Sequence, residues 1–166
     1  MTHDFTIQLI DTDLLDAVSR EAQASPRRRR NRNFHPADDF PAQRLLNAIE
    51  PDSYIAPHRH LDVRKDETMI VLRGRLGLVI FDDAGGVART VLLQADGGCA
   101  DACRGVDIPH GTWHTLVALE SATVFFETKA GPYQPLAPAE RATWAPAEGD
   151  VAAADYLEKL RALFSA

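Results

Sequence analysis

The residues of this chain best equipped for chemistry are three histidines and a glutamate. His58 and His60 stand in His58-Arg59-His60, Glu67 follows, and His114 closes Pro109-His110-Gly111-Thr112-Trp113-His114. Three imidazole nitrogens and one carboxylate oxygen make a complete ligand set for one divalent ion. His58 and His60 are two apart, so on an extended segment both rings leave one face; on a helix they would point roughly 200° apart. This mixed donor set suits the borderline ions Fe(II), Mn(II), Ni(II), Co(II) and Zn(II), and it disfavours Ca(II) and Mg(II). A six-coordinate ion would keep two positions open for water, substrate or dioxygen, whereas tetrahedral zinc held by all four would be closed and structural. A lone histidine at a strand end is more often a hydrogen-bonded surface residue, so the metal assignment rests on the set and not on any one member.

The elements that must position these residues are strands. Glu67 opens an apolar, β-branched run that ends at Arg73-Gly74, which places a carboxylate at the head of a buried strand. His114 follows a Pro-x-Gly turn and opens Leu116-Val117-Ala118-Leu119. Between residues 42 and 129 the chain reads as short apolar runs at 44–49, 54–57, 67–72, 75–81, 87–93, 105–108, 112–119 and 122–128, with Asp82-Asp83-Ala84-Gly85-Gly86 as a hairpin turn. Many short strands without a helical period predict a closed or sandwiched all-β structure, a small jelly roll. Ahead of it, Asp11-Thr12 with Leu14, Leu15, Val18 and Ala22 predicts a capped, one-sided helix that Ser25-Pro26 stops. Arginines 27–30 and 32 read as a solvated segment. Behind it, residues 131–146 carry Pro132, Pro135, Pro138 and Pro146 and predict an irregular arm. Asp150 then caps a final helix whose Tyr156, Leu157, Leu160, Leu163 and Phe164 form one apolar stripe. The expected organisation is a single domain over 1–166, with an N-terminal helical segment at 7–33, a barrel at 42–129 and an arm with a C-terminal helix at 131–166.

The histidine clusters resemble the two cupin motifs. H-x-H, E-x6-G and P-x-G-x2-H are intact, while Asp52 stands at the first motif's leading glycine, six residues separate His60 from Glu67, and Cys103 and Ala118 replace the second motif's glycine and asparagine. The longer pattern, with Asn33-Phe34-His35, Leu72-Arg73-Gly74-Arg75-Leu76 and Trp144-Ala145-Pro146 around these motifs, resembles the WbuC-type cupin-fold metalloproteins over roughly residues 7–163. The resemblance implies a single cupin jelly-roll barrel with an N-terminal helix and a C-terminal helical arm. It also implies one divalent transition metal (Fe, Mn, Ni, Co or Zn) on His58, His60, Glu67 and His114, and a place in O-antigen synthesis, without specifying a reaction.

Strand alternation from Glu67 and His114 aims Met69, Val71, Thr112, Leu116 and Ala118 at the ligand face and Trp113 away from it. Arg44, Lys65, Arg73 and Arg75 are the basic residues nearest the expected strand ends and, with Met69, are candidates for contact with substrate; His35 is a candidate to close over the barrel mouth. His110 is expected exposed at the tip of its turn, and Cys99 and Cys103 as small reduced fillers. Two cysteines exclude a disulfide framework, and a net charge of −6 argues against general nucleic-acid binding. No signal peptide or membrane span is expected, so a cytoplasmic setting is. The expected partners are a small-molecule ligand, with no nucleic acid and no membrane, and a homodimer is admitted as the assembly. Three functions remain open: a metal-dependent isomerase or lyase acting on a small polar metabolite such as a sugar or sugar nucleotide; a non-catalytic, metal-containing sugar-binding or accessory module; and an Fe(II)-dependent oxygenase.

Overall fold

Short runs of alternating apolar residues become two antiparallel sheets in the computed structural model, which describes residues 7–96 and 102–165. Cys99 lies outside the described residues. The strands are β1 (Arg29–Asn33), β2 (Ala42–Ile49), β3 (Glu67–Arg73), β4 (Arg75–Phe81), β5 (Val87–Gln94), β6 (Gly105–Ile108), β7 (Trp113–Ala118) and β8 (Thr123–Ala130). Five of them form a sheet in the order β1-β2-β8-β3-β6, and three form a second in the order β5-β4-β7. Their facing sides share one core: Ile49, Met69, Val71, Ile108 and Phe125 from the first sheet meet Leu76, Leu78, Leu93, Leu116 and Ala118 from the second. The architecture is thus mostly β, two sheets packed face to face as in a jelly roll. Among the described residues the two ladders do not join into a closed barrel.

Helices cover the outer faces. α1 (Thr12–Ala24) starts where Asp11 accepts the Leu14 N–H at 3.0 Å, and it buries Val18 and Ala22 against Leu46, Ala48 and Val124. α2 (Ala153–Ala162) lays Ala153, Leu157 and Leu160 on Val79, Phe81, Trp113 and Val117 of the second sheet. Trp113 therefore faces outward while His114 faces in, as period-two alternation requires. Asp150 sits two residues before the α2 cap and accepts the Ala152 N–H at 2.9 Å.

Two stretches differ in strand content from the sequence expectation. Residues 54–57 are extended but join no sheet; Thr115 Oγ1 donates to the Ile55 carbonyl and the Tyr54 hydroxyl donates to the Pro146 carbonyl. The arginine run is largely solvated as expected, with Arg27, Arg30 and Arg32 exposed, but Arg29–Asn33 is also the edge strand β1, paired in register with β2 from Arg29↔Ile49 to Asn33↔Leu45. A polar edge strand carries no apolar alternation, since only its backbone is asked to bind.

Candidate metal centre

His58 reaches the site because its backbone pairs with that of His114. His58 N–H donates to the His114 carbonyl at 3.0 Å and His114 N–H returns the bond at 2.9 Å, which brings the ring centroids to 4.6 Å. Each ring is then turned by a carbonyl two residues upstream: His58 Nδ1 lies 3.0 Å from the Ala56 oxygen and His114 Nδ1 lies 2.9 Å from the Thr112 oxygen. A carbonyl only accepts, so Nδ1 carries the proton on both rings and each Nε2 keeps its lone pair. Glu67, first residue of β3, is paired with Ile108 on one side and Lys129 on the other, and its side chain is almost wholly buried.

One ligand atom each from His58, Glu67 and His114 lies within 4.8 Å of the others. Glu67 Oε2 and His114 Nε2 are 3.2 Å apart, and among the described residues neither has a hydrogen-bond partner despite full burial. With the proton on Nδ1, two lone pairs face one another, an arrangement that is unfavourable by itself and favourable around a cation. Donors bound to one ion at about 2.0–2.2 Å stand roughly 3–4 Å apart, so the spacing also fits. On this chemistry the three residues fit a divalent metal. His60 stands beside them with Nε2 at 3.1 Å from Glu67 Oε1, and its ring is 5.5 Å from that of His58. The structure thus brings His58, Glu67 and His114 together directly and places His60 against the other oxygen of the carboxylate.

Burial alone would raise the Glu67 carboxyl. The Lys129 charge and the His60 contact, both on Oε1, outweigh it and hold the group well below the usual carboxylate range. Burial, reinforced by the neighbouring His114, pushes His58 down to about 3, so it is neutral and competent as a ligand near neutral pH. Lys129 was not anticipated from the sequence. Its Nζ lies 2.6 Å from Glu67 Oε1 and 2.7 Å from Glu127 Oε1, and Glu127 in turn accepts from Asn47 Nδ2 at 2.7 Å. Burial opposes the Lys129 ammonium, but the two carboxylates prevail and hold its pKa above the ordinary lysine value. A signal was available: Phe125, Glu127 and Lys129 alternate on one face of β8, and Phe125 belongs to the core, so two charges on that face needed partners.

A cavity of about 310 Å³ opens beside the site, with Met69, Leu116 and Phe125 as apolar wall and Glu127 and Lys129 as polar wall. Lys65 lines a smaller space next to His60. The remaining substrate candidates lie elsewhere. Arg44 is on the outer face of β2 over the Phe40 ring, Arg73 pairs with Asp16 of α1 at 2.7 Å, and Arg75 approaches Glu120 at 3.9 Å at the far end of the sandwich. Proximity in sequence to a strand end did not report which end or which face. His35 is buried with Nδ1 at 3.1 Å from the Arg44 N–H, which makes it a structural bond and not a lid. His110 is exposed as expected, and its Nδ1 is 2.8 Å from Asp66. The stretched loop between His60 and Glu67 is tied down by that bond, by Gly111 N–H to the His60 carbonyl at 2.6 Å and by Leu61 N–H to Glu140 at 2.8 Å.

The family model described as "Domain of unknown function (DUF6016)" matches residues 10–93. A search of the curated proteins finds no match to this sequence. Among solved structures, the chain is similar to the conserved SPY1581 protein of unknown function from Streptococcus pyogenes, with a TM-score of 0.50, 12% identity and coverage of 78% of this chain and 91% of that one. It is similar to KdgF from Halomonas sp. at a TM-score of 0.48 and 17% identity, over 66% of this chain and 84% of that one. A cupin superfamily protein from Desulfitobacterium hafniense DCB-2 matches at a TM-score of 0.46 and 10% identity, over 61% and 76% of the two chains. At 12% identity the likeness to the Streptococcus pyogenes protein is one of fold alone.

Proposed function

The chain belongs to the family described as Domain of unknown function (DUF6016), and from its site we propose that it is a cupin-type metal-binding protein. It holds one divalent transition ion on His58, Glu67 and His114 and acts on a small polar metabolite in the adjoining cavity. The observation that carries this reading is the pair of buried, unpartnered atoms, Glu67 Oε2 and His114 Nε2, facing each other at 3.2 Å. When bound, the ion would polarise a carbonyl or hydroxyl of the metabolite or activate water.

The surrounding residues have separate duties. The Ala56 and Thr112 carbonyls keep His58 and His114 in the binding tautomer. Lys129 holds Glu67 Oε1 and so leaves Oε2 for the ion, while His60 either joins as a fourth ligand by leaving Oε1 or stays to orient the carboxylate. Met69, Leu116 and Phe125 give the metabolite an apolar wall beside the polar one of Glu127 and Lys129. The finer assignment, a sugar or sugar nucleotide of surface-polysaccharide synthesis, rests on the WbuC-type motifs in the sequence. Elemental analysis of protein purified without chelator tests the reading: about one transition ion per chain is expected in the wild type, with sharp loss in His114→Ala. Full occupancy in that variant would overturn the site.

A further inference from the structure

A second cavity, of about 490 Å³, lies outside the metal site and shares Arg27, Arg29, Ile55 and His58 with the inner one, so the two adjoin at His58. Its polar wall is Arg27, Arg29 and Arg141 against a single carboxylate, Glu148. The chain as a whole carries −6, yet the two cavity linings together hold five basic side chains and three acidic ones. Glu148 marks where an oxyanion sits: Oε2 is 3.1 Å from Arg27 and Oε1 is 2.5 Å from Arg29. Arg29 is preorganised from behind, because its other terminal nitrogen donates to the Tyr54 carbonyl at 2.9 Å and to Ser53 Oγ at 3.2 Å. Glu148 belongs to the C-terminal arm and its side chain is 40% exposed. The Arg27–Glu148 pair is exposed and therefore weak, and Arg29 keeps its Tyr54 and Ser53 partners whichever anion it faces, so a dissolved anion can exchange with Glu148.

We propose that Arg27 and Arg29 form an oxyanion-binding site for the phosphoryl or carboxylate end of a small metabolite, with Arg141, whose Nε and Nη2 donate to the Leu136 carbonyl, adding positive charge to the same cavity. Glu148 is the internal anion that this end displaces. Guanidinium forks recognise both groups through paired N–H donors, which is the shared chemistry of the two sources. The metabolite's other, polar end reaches His58, which lines the same cavity; that half of the inference rests on the metal reading, whereas the oxyanion site does not.

The test is calorimetric titration of chelator-treated protein with inorganic phosphate and with acetate at low ionic strength, where screening is least. Working without metal separates the outcome from that of the metal reading. Glu148→Gln should tighten binding of the preferred anion about tenfold by removing the competitor, and adding Arg27→Gln to that variant should reverse the gain. The more tightly bound of the two probes identifies the ligand end as phosphoryl or carboxylate. Unchanged binding in Glu148→Gln, or no binding of either probe to wild type and variant alike, overturns the proposal. Melting curves check that each variant folds. Should Glu148→Gln not fold, Arg27→Gln alone replaces it in the same titration, where severalfold weaker binding is expected and wild-type binding refutes the site.

Discussion

Glu67 is where two demands meet, since one carboxylate oxygen answers Lys129 and His60 and the other faces His114 alone. If Oε2 is a direct ligand, Glu67→Gln and Glu67→Ala both lose metal affinity by about a hundredfold or more, because an amide is a poor donor to these ions. A purely orienting role would let Gln keep much of the affinity that Ala loses, which competition against a chelator distinguishes. His58 yields a pH prediction for the metal-free protein. Its pKa falls from 6.5 to about 3 on folding, so between those values the unfolded chain takes up a proton that the folded one refuses. Stability therefore declines as pH falls through that window, with a slope approaching about 1.4 kcal/mol per pH unit from this group. Glu67 acts in the same direction at lower pH, because its carboxyl is depressed in the folded state and the unfolded chain protonates first. Urea unfolding between pH 7 and 4 should show a shallower slope in His58→Asn, and parallel curves would mean that His58 is not held neutral.

At the level of elements, β8 does more than complete a sheet. It lies between β2 and β3, and its alternation sends Glu127 and Lys129 to the cavity face, where they link Asn47 on β2 to Glu67 on β3. Lys129→Met would leave two buried carboxylates without a counter-charge, an arrangement that costs about 3–5 kcal/mol when one partner of a buried pair is removed. A bound divalent ion restores positive charge beside Glu67. The variant should therefore be strongly destabilised without metal and should gain more from added metal than the wild type does. Denaturation with and without excess ion measures both, and an equal loss in the two conditions would show that ion and lysine do not share Glu67. The edge strands carry different constraints. Gly105 on β6 passes so close to β3 that an added Cβ would clash with the Met69 carbonyl oxygen, and this short strand pairs on the side of β3 that carries Glu67 against Ile108.

The whole molecule is two sheets around one apolar core, with α1 and α2 on opposite outer faces, and its candidate site sits where segments distant in sequence converge. His58 comes from an extended segment, Glu67 from the first sheet and His114 from the second. An ion bound by all three ties the sheets together only in the folded state, so binding adds to global stability. At a free concentration 100 times its Kd, the ion contributes about 2.7 kcal/mol. For a chain of this size that raises the melting temperature by roughly 5–11 °C, readable by differential scanning calorimetry of chelator-treated protein before and after adding metal. No rise with any of the borderline ions would exclude a ligand set that bridges the sheets.

Ligand types, strand alternation and element boundaries were legible in the sequence because each is a local property. Donor chemistry belongs to the residue, period two decides which side chains share a face, and Ser25-Pro26 or Arg73-Gly74 stop an element wherever it lies. So Met69 and Leu116 were placed inward and Trp113 outward, and the structure agrees. Partnership across the fold was not legible. Lys129 meets Glu67 across 62 positions because β8 pairs with β3 in one register, and a slip of a single residue would have turned it to the other face. The arginine run looked solvated because charge at the surface and charge in a cavity wall read alike along the chain. Only the pairing of β1 with β2 and the return of the arm bearing Glu148 turned Arg27 and Arg29 toward the space beside His58.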